Sequence, residues 1–139
     1  MLLEFKTKNY KSFVEEASFS MVAAPKQKGL DYSLMKTKIK GKEIKGLSSS
    51  VIYGPNAAGK TNIIGAMDVL RAIVLRGNIR NSEEKSSPNP AAAALELIPN
   101  NNEMESKPVC FEIEFYEEDG EDHKFKIHYE LEVDLGTFL

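Results

Sequence analysis

The residues with the clearest chemistry are Gly54-Pro55-Asn56-Ala57-Ala58-Gly59-Lys60-Thr61, inside the stretch VIYGPNAAGKTNIIGAM from Val51 to Met67. They satisfy G-x-x-x-x-G-K-[ST], a spacing that suits the polyphosphate of a nucleotide. The two glycines let the backbone wrap an anion where a Cβ would obstruct it. Backbone N–H groups and the positive end of a following helix then face the phosphates. Lys60 would bring a mobile charge to the β- and γ-phosphates, and the Thr61 hydroxyl could ligate Mg²⁺.

Such a cradle needs a strand before it and a helix after it. Ser49 to Tyr53 is short and apolar-centred, which predicts a buried strand feeding the loop. Ile63, Ile64, Met67, Leu70, Val74 and Leu75 recur at threes and fours, predicting a helix from Lys60 to Arg76 with that stripe inward. Gly77 and Asn78 stop it. Leu2 to Lys8 alternates as a half-buried strand, and Ala17, Phe19 and Met21 mark the inner face of a second. Lys36, Lys38, Lys40 and Lys42 fall at every second position, as on a strand with one lysine-covered face. Residues 78–108 lack periodicity and read as loop, with room for one short helix or strand near Ala92 to Ile98. Val109, Phe111, Ile113 and Phe115, then Phe125, Ile127, Tyr129, Leu131 and Val133, alternate around Asp119-Gly120, the pattern of an antiparallel hairpin. Centring on that turn pairs Phe115 with Phe125, Ile113 with Ile127 and Phe111 with Tyr129, and sets Glu114 beside Lys126.

Bulk properties narrow the class. A chain of 139 residues with 42% hydrophobic and 28% charged side chains has the composition of one globular domain. A net charge of −3 gives no general pull toward nucleic acid or anionic lipid. The single cysteine, Cys110, excludes an internal disulfide and suits a reducing, cytoplasmic compartment. With no apolar run of 18 residues, no membrane partner is expected.

At this point the residues also resemble a family. VIYGPNAAGKTNIIGAM is similar to the Walker A segment of ABC-type ATPase heads of the RecF/SMC-like AAA group, and LLEFKTKNYKSF to the first strand and corner of such heads. The nearest likeness is to abortive-infection and OLD-like bacterial defence ATPases. The resemblance implies an α/β fold with α+β character. This would be a truncated P-loop NTPase N-terminal lobe, whose mixed, largely antiparallel sheet packs on the helix after the loop. It implies one partial ATPase head over 1–139: an N-terminal β-hairpin at 1–22, an insertion at 23–48, the P-loop strand and helix at 49–76, a loop-rich linker at 77–108, and a β-hairpin with the start of a further strand at 109–139. Gly54, Pro55, Asn56, Ala57, Ala58, Gly59, Lys60, Thr61 and Asn62 would bind ATP, with Thr61 holding Mg²⁺. Lys11 and Ser12 match the corner that approaches the nucleotide, although a solvated turn lysine is the commoner role for Lys11. Ala57 replaces the usual glycine, a change tolerated if its φ stays negative.

The family's other parts are missing from the sequence. No glutamine follows Thr61, Gln27 being the only one, and no apolar run ends in Asp-Glu; Leu131-Glu132-Val133-Asp134 is broken by Glu132. The expectation is therefore an N-terminal piece of a longer Mg·ATP-hydrolysing protein. A second head in a homodimer would complete its site, and its work would lie in DNA processing or phage defence. This piece alone would be inactive. The alternative is a nucleotide-gated sensing or interaction module that does not hydrolyse.

The other polar residues carry ordinary roles. His123 and His128 are expected to be isolated surface histidines, Cys110 a structural thiol, and Glu117 to Asp122 a solvated hairpin tip. The lysines at 36 to 42 could touch DNA, or simply guard an edge strand.

Overall fold

The computed structural model describes residues 1–25, 29–79, 95–100, 107–119 and 123–135. In chain order they form β1 (Leu2–Lys8), β2 (Ala17–Ser20), a short 3₁₀ turn (Asp31–Ser33), β3 (Leu34–Ile39), β4 (Lys42–Leu47), α1 (Lys60–Arg76), β5 (Val109–Glu118) and β6 (Lys124–Val133). The four strands β2-β1-β5-β6 make one sheet in that order, and every pairing in it is antiparallel. β3 and β4 form a separate two-stranded ribbon. Among the described residues this is a mixed α/β architecture with antiparallel sheets and one α-helix.

The alternation in β1 places Leu3, Phe5 and Thr7 inward, and β5 contributes Val109 and Phe111 to the same face. α1 covers that face with Ile63, Ala66, Val69, Leu70 and Ile73. Fully burying one such side chain is worth roughly 1.5–3 kcal/mol, so this helix–sheet contact holds α1 in place. The expected stripe was displaced around the helix. Ile63 and Leu70 are buried, Met67 is half-buried, but Ile64, Val74 and Leu75 are exposed. The helix is apolar on two sides, and the sheet takes the side carrying Ala66, whose small side chain lets the backbones approach.

Three further expectations change. Ser49 to Tyr53 is not a buried strand: it pairs with nothing among the described residues, and Val51 and Tyr53 are 83% and 90% exposed. A buried strand needs neighbours, and none of the six described strands runs beside it. The lysine series is not one strand. Lys40 and Gly41 both take positive φ, 48° and 78°, and form the tight turn of the β3–β4 hairpin, with Ile39 paired to Lys42.

In the β5–β6 hairpin the parity is as expected but the register is two residues longer. Phe115 faces Ile127, Ile113 faces Tyr129, and Phe111 faces Leu131. Glu114 lies opposite His128 and reaches Lys126 diagonally at 2.8 Å. The connection is centred one residue beyond Asp119-Gly120, and the Asp119 N–H closes it on the His123 carbonyl at 3.0 Å.

Within the expected linker, 80–94 and 101–106 lie outside the described residues, including part of the element anticipated near Ala92 to Ile98. Residues 95–98 are neither helix nor strand. They nonetheless bind the β1–β2 corner: Lys11 N–H donates to Ile98 O at 2.9 Å, and the Asn100 side-chain amide to Lys11 O at 2.6 Å. Leu95 enters the core.

Candidate functional site

The loop 54–59 leads directly into α1. Its last residue, Gly59, is the helix N-cap with φ 82°, a left-handed conformation that places the next N–H groups along the helix axis. Having no side chain, Gly59 cannot cap the first turn; the Asn62 N–H already donates to the Gly59 carbonyl at 2.9 Å, which leaves the Lys60 and Thr61 N–H groups available to an anion. Within the loop, Ala58 N–H donates to Pro55 O at 3.3 Å. Lys60 bends back across it, its ammonium donating to the carbonyls of Gly54 at 2.7 Å and Pro55 at 2.5 Å. An ammonium has three donors, so one remains while the lysine braces the loop. Thr61 is exposed on the first turn.

Ala57 does not keep the negative φ anticipated for it. It sits at φ 66°, in the left-handed region, where a Cβ costs roughly 1–2 kcal/mol. The loop geometry prevails because Gly59 joins one end to the packed helix and Lys60 ties the other end, at the Gly54 and Pro55 carbonyls, back to it.

The N-terminal corner supports this loop. Asn62 Nδ2 donates to Ser12 Oγ at 2.7 Å, joining the corner to the first turn of α1. A Cβ built on Gly59 would meet the Phe13 ring at 3.0 and 3.1 Å and Ser12 Oγ at 3.3 Å, so the ring closes one side of the N-cap. Lys11 is not a solvated turn lysine. It is half-buried, forms an ion pair with Glu96, and lies 5.6 Å above the Tyr10 ring. The hydrogen bond that the Lys11 ammonium donates to Glu96 holds it above its ordinary pKa, and the same bond holds the Glu96 carboxyl below its own. The structure thus brings Ser12 and Asn62 together at the start of α1, beside Gly59, while the Lys11 ammonium is held by Glu96 and lies nearer Gly65, in the following turn of the helix.

Phe13 and Glu96 escaped sequence reasoning. Phe13 stood within the quoted corner but carried no polar signal, and nothing marks Glu96 in a segment without periodicity. Tyr10 is fully buried, and its hydroxyl has no hydrogen-bond partner among the described residues. Burial pushes that phenol up from its usual pKa.

Elsewhere the polar groups are committed to each other. His128 is not isolated: its Nδ1 meets Glu114 at 3.2 Å and its Nε2 meets Glu130 at 2.7 Å, which raises its pKa. Glu112, Glu130 and His128 offer ligand atoms within 4.8 Å of one another, yet Glu112 is held by Lys6 at 3.0 Å and both ring nitrogens face carboxylates. This is a charge network on the outer face of the sheet. His123 lies ahead of β6 and faces Asp119 at 3.1 Å. Burial raises the Cys110 thiol pKa, which makes it a poor nucleophile.

A glycine loop at the start of a helix, braced by its own lysine, defines the class as a P-loop-type domain. The family comparison agrees: residues 49–137, more than half of the chain, match the AbiEii toxin-like AAA domain family of type IV TA systems. The chain belongs to this AAA domain family, whose function is nucleotide binding of the ATPase type, generally with ATP and Mg²⁺. No curated protein and no solved structure matches it. Among the described residues no helix is long and apolar enough to cross a membrane.

Proposed function

We propose that Gly54–Thr61 is a Walker A loop that binds Mg·ATP, and that the chain acts as the nucleotide-binding lobe of a larger ATPase head of the RecF/SMC-like or OLD-like kind. The observation that carries this is the uncapped N-terminus of α1 with the Lys60 ammonium held over the loop. Lys60 moves from two neutral carbonyls to phosphate oxygens, exchanging ordinary hydrogen bonds for charge-assisted ones. Thr61, exposed on the first turn, is the metal ligand. Ser12 fixes Asn62, and Phe13 fixes the N-cap, so the donors are set before the nucleotide arrives. Hydrolysis belongs to the complete head and a second head facing it, and DNA processing or defence is its setting.

The test is titration of the 139-residue chain with a fluorescent ATP analogue and Mg²⁺. Lys60→Ala should weaken binding by roughly 1.5–3 kcal/mol, the worth of a hydrogen bond to a charged group. Equal affinity in the variant, with unchanged far-UV ellipticity, would remove the loop from the site.

A further inference from the structure

The β3–β4 hairpin is chemically unlike the rest of the chain. Leu34–Leu47 holds five lysines and one glutamate, while the other thirteen of 18 basic residues and twenty of 21 acidic ones lie outside it. The protein is net negative at −3, but this ribbon of 14 residues is strongly positive.

Its geometry concentrates that charge at the tip. Cross-strand pairing puts Lys36 opposite Lys45 and Lys38 opposite Glu43, on one face. Lys40 occupies the turn and Lys42 opens β4 beside Ile39. Two of the lysines are already engaged, Lys36 by Asp31 at 2.7 Å and Lys45 by Glu43 at 3.8 Å. Lys38, Lys40 and Lys42 are exposed and have no carboxylate partner among the described residues. Three unneutralised ammonium groups within two residues of a tight turn repel one another, a cost that a polyanion would relieve.

We infer that the tip of the β3–β4 hairpin is a contact surface for the phosphate backbone of duplex nucleic acid. Lys36 and Lys38, two residues apart on β3, are spaced by about 6.7 Å, which matches two phosphates of axial rise on one DNA strand at about 3.4 Å each, and Lys40 in the turn and Lys42 on β4 carry the charge around the tip. A two-stranded ribbon is also narrow enough for the major groove, about 12 Å wide. An anionic membrane fits less well. Interfacial elements join lysines to apolar side chains that enter the lipid, and the tip Lys40-Gly41-Lys42 has none. Lysines do guard exposed strand edges against pairing, and the two strands here have outer edges, that of β4 being taken by residues 21–23 only along Lys45–Leu47. That duty does not call for Lys40, which lies in the turn and offers no ladder edge.

The test is fluorescence anisotropy of a labelled DNA duplex of about 20 base pairs with the full 139-residue chain, from about 50 to 200 mM salt. The variant Lys38→Gln/Lys40→Gln/Lys42→Gln is compared with a charge-matched control, Lys8→Gln/Arg71→Gln/Lys107→Gln. The hairpin variant should bind at least tenfold more weakly at low salt, with the slope of log affinity against log salt reduced by about 1 per lysine. The control should stay within twofold of the parent. Absence of duplex binding by the parent, equal losses in both variants, or hairpin-dependent binding to phosphatidylserine vesicles but not to duplex would each overturn the inference.

Discussion

Replacing Gly59 by alanine separates two physical costs that the structure places on one atom. The added Cβ would force alanine into φ 82°, which costs roughly 1–2 kcal/mol wherever it occurs. It would also stand 3.0 and 3.1 Å from two Phe13 ring carbons and 3.3 Å from Ser12 Oγ. Phe13 packs against the core, so relieving that contact means displacing a seated ring, an overpacking cost of about 1–3 kcal/mol. Gly59→Ala should therefore destabilise the parent by about 2–5 kcal/mol. In a Phe13→Ala background the ring is gone and only the backbone cost remains, about 1–2 kcal/mol. The coupling in this double-mutant cycle should thus be about 1–3 kcal/mol, read from urea unfolding followed by far-UV ellipticity. Effects that add to within about 0.5 kcal/mol would show that the ring does not rest on the N-cap, and the corner would lose its supporting role.

Two further outcomes follow from the same neighbourhood. The buried Tyr10 hydroxyl makes no hydrogen bond of good geometry among the described residues and lies 3.3 Å from where a Gly65 Cβ would stand, so Tyr10→Phe should leave stability unchanged or raise it. Gly65→Ala should then gain about 0.5–1 kcal/mol in the Tyr10→Phe background, and less or nothing with the hydroxyl present; equal gains in both backgrounds would contradict the contact. The pH dependence has a definite sign. Lys11 holds the Glu96 carboxyl below its ordinary pKa, so its contribution is present above that ordinary value and fades as pH falls through the lowered one. The urea midpoint of the parent should fall on acidification through this range more than that of Glu96→Gln; parallel curves would show that the pair does not contribute.

The elements with strong, unshared periodicity were legible. β1 and α1 begin and end where the pattern places them, because β1 alternates cleanly and Gly77 closes α1 with a hydrogen bond to Ile73 O at 2.8 Å. The helix face was not legible, since Ile63, Ala66, Leu70 and Ile73 compete with Ile64, Met67, Val74 and Leu75 for the inward side. Only the sheet decides between them. The Lys40-Gly41 turn hid inside a period-two lysine series that runs unbroken through it, and a lysine at positive φ gives no residue-type warning. The β5–β6 register depended on the loop's centre, which alternation leaves free in steps of two. For the candidate site, residue types alone singled out Gly54–Thr61, and the structure sets that loop at the N-terminus of α1. Tertiary contacts decided what surrounds it, and neither Glu96 nor Phe13 could be drawn from spacing.

Apart from Lys40 in the β3–β4 turn, the described non-glycine residues at positive φ lie in the N-terminal corner and the glycine loop. Asn9, Lys11 and Ala57 all hold positive φ, at 52°, 48° and 66°, each at roughly 1–2 kcal/mol for a residue with a Cβ. Such conformations persist only where surrounding contacts over-determine them. Here those contacts can be named. The Asn9 amide donates to Lys107 O at 2.8 Å and its Oδ1 accepts from the Asn100 N–H at 3.2 Å. Lys11 is gripped through its N–H, carbonyl and ammonium by Ile98, Asn100 and Glu96. Ser12 and Phe13 carry that rigidity onto Asn62 and Gly59. The family match covers residues 49–137, yet the groups that fix the helix N-terminus come from residues 9–13, outside it, as well as from 95–100 within it. The geometry of the loop is therefore a property of the whole fold: the loop and the first turn of α1 supply the N–H groups, and the corner with its strap bears on where they point.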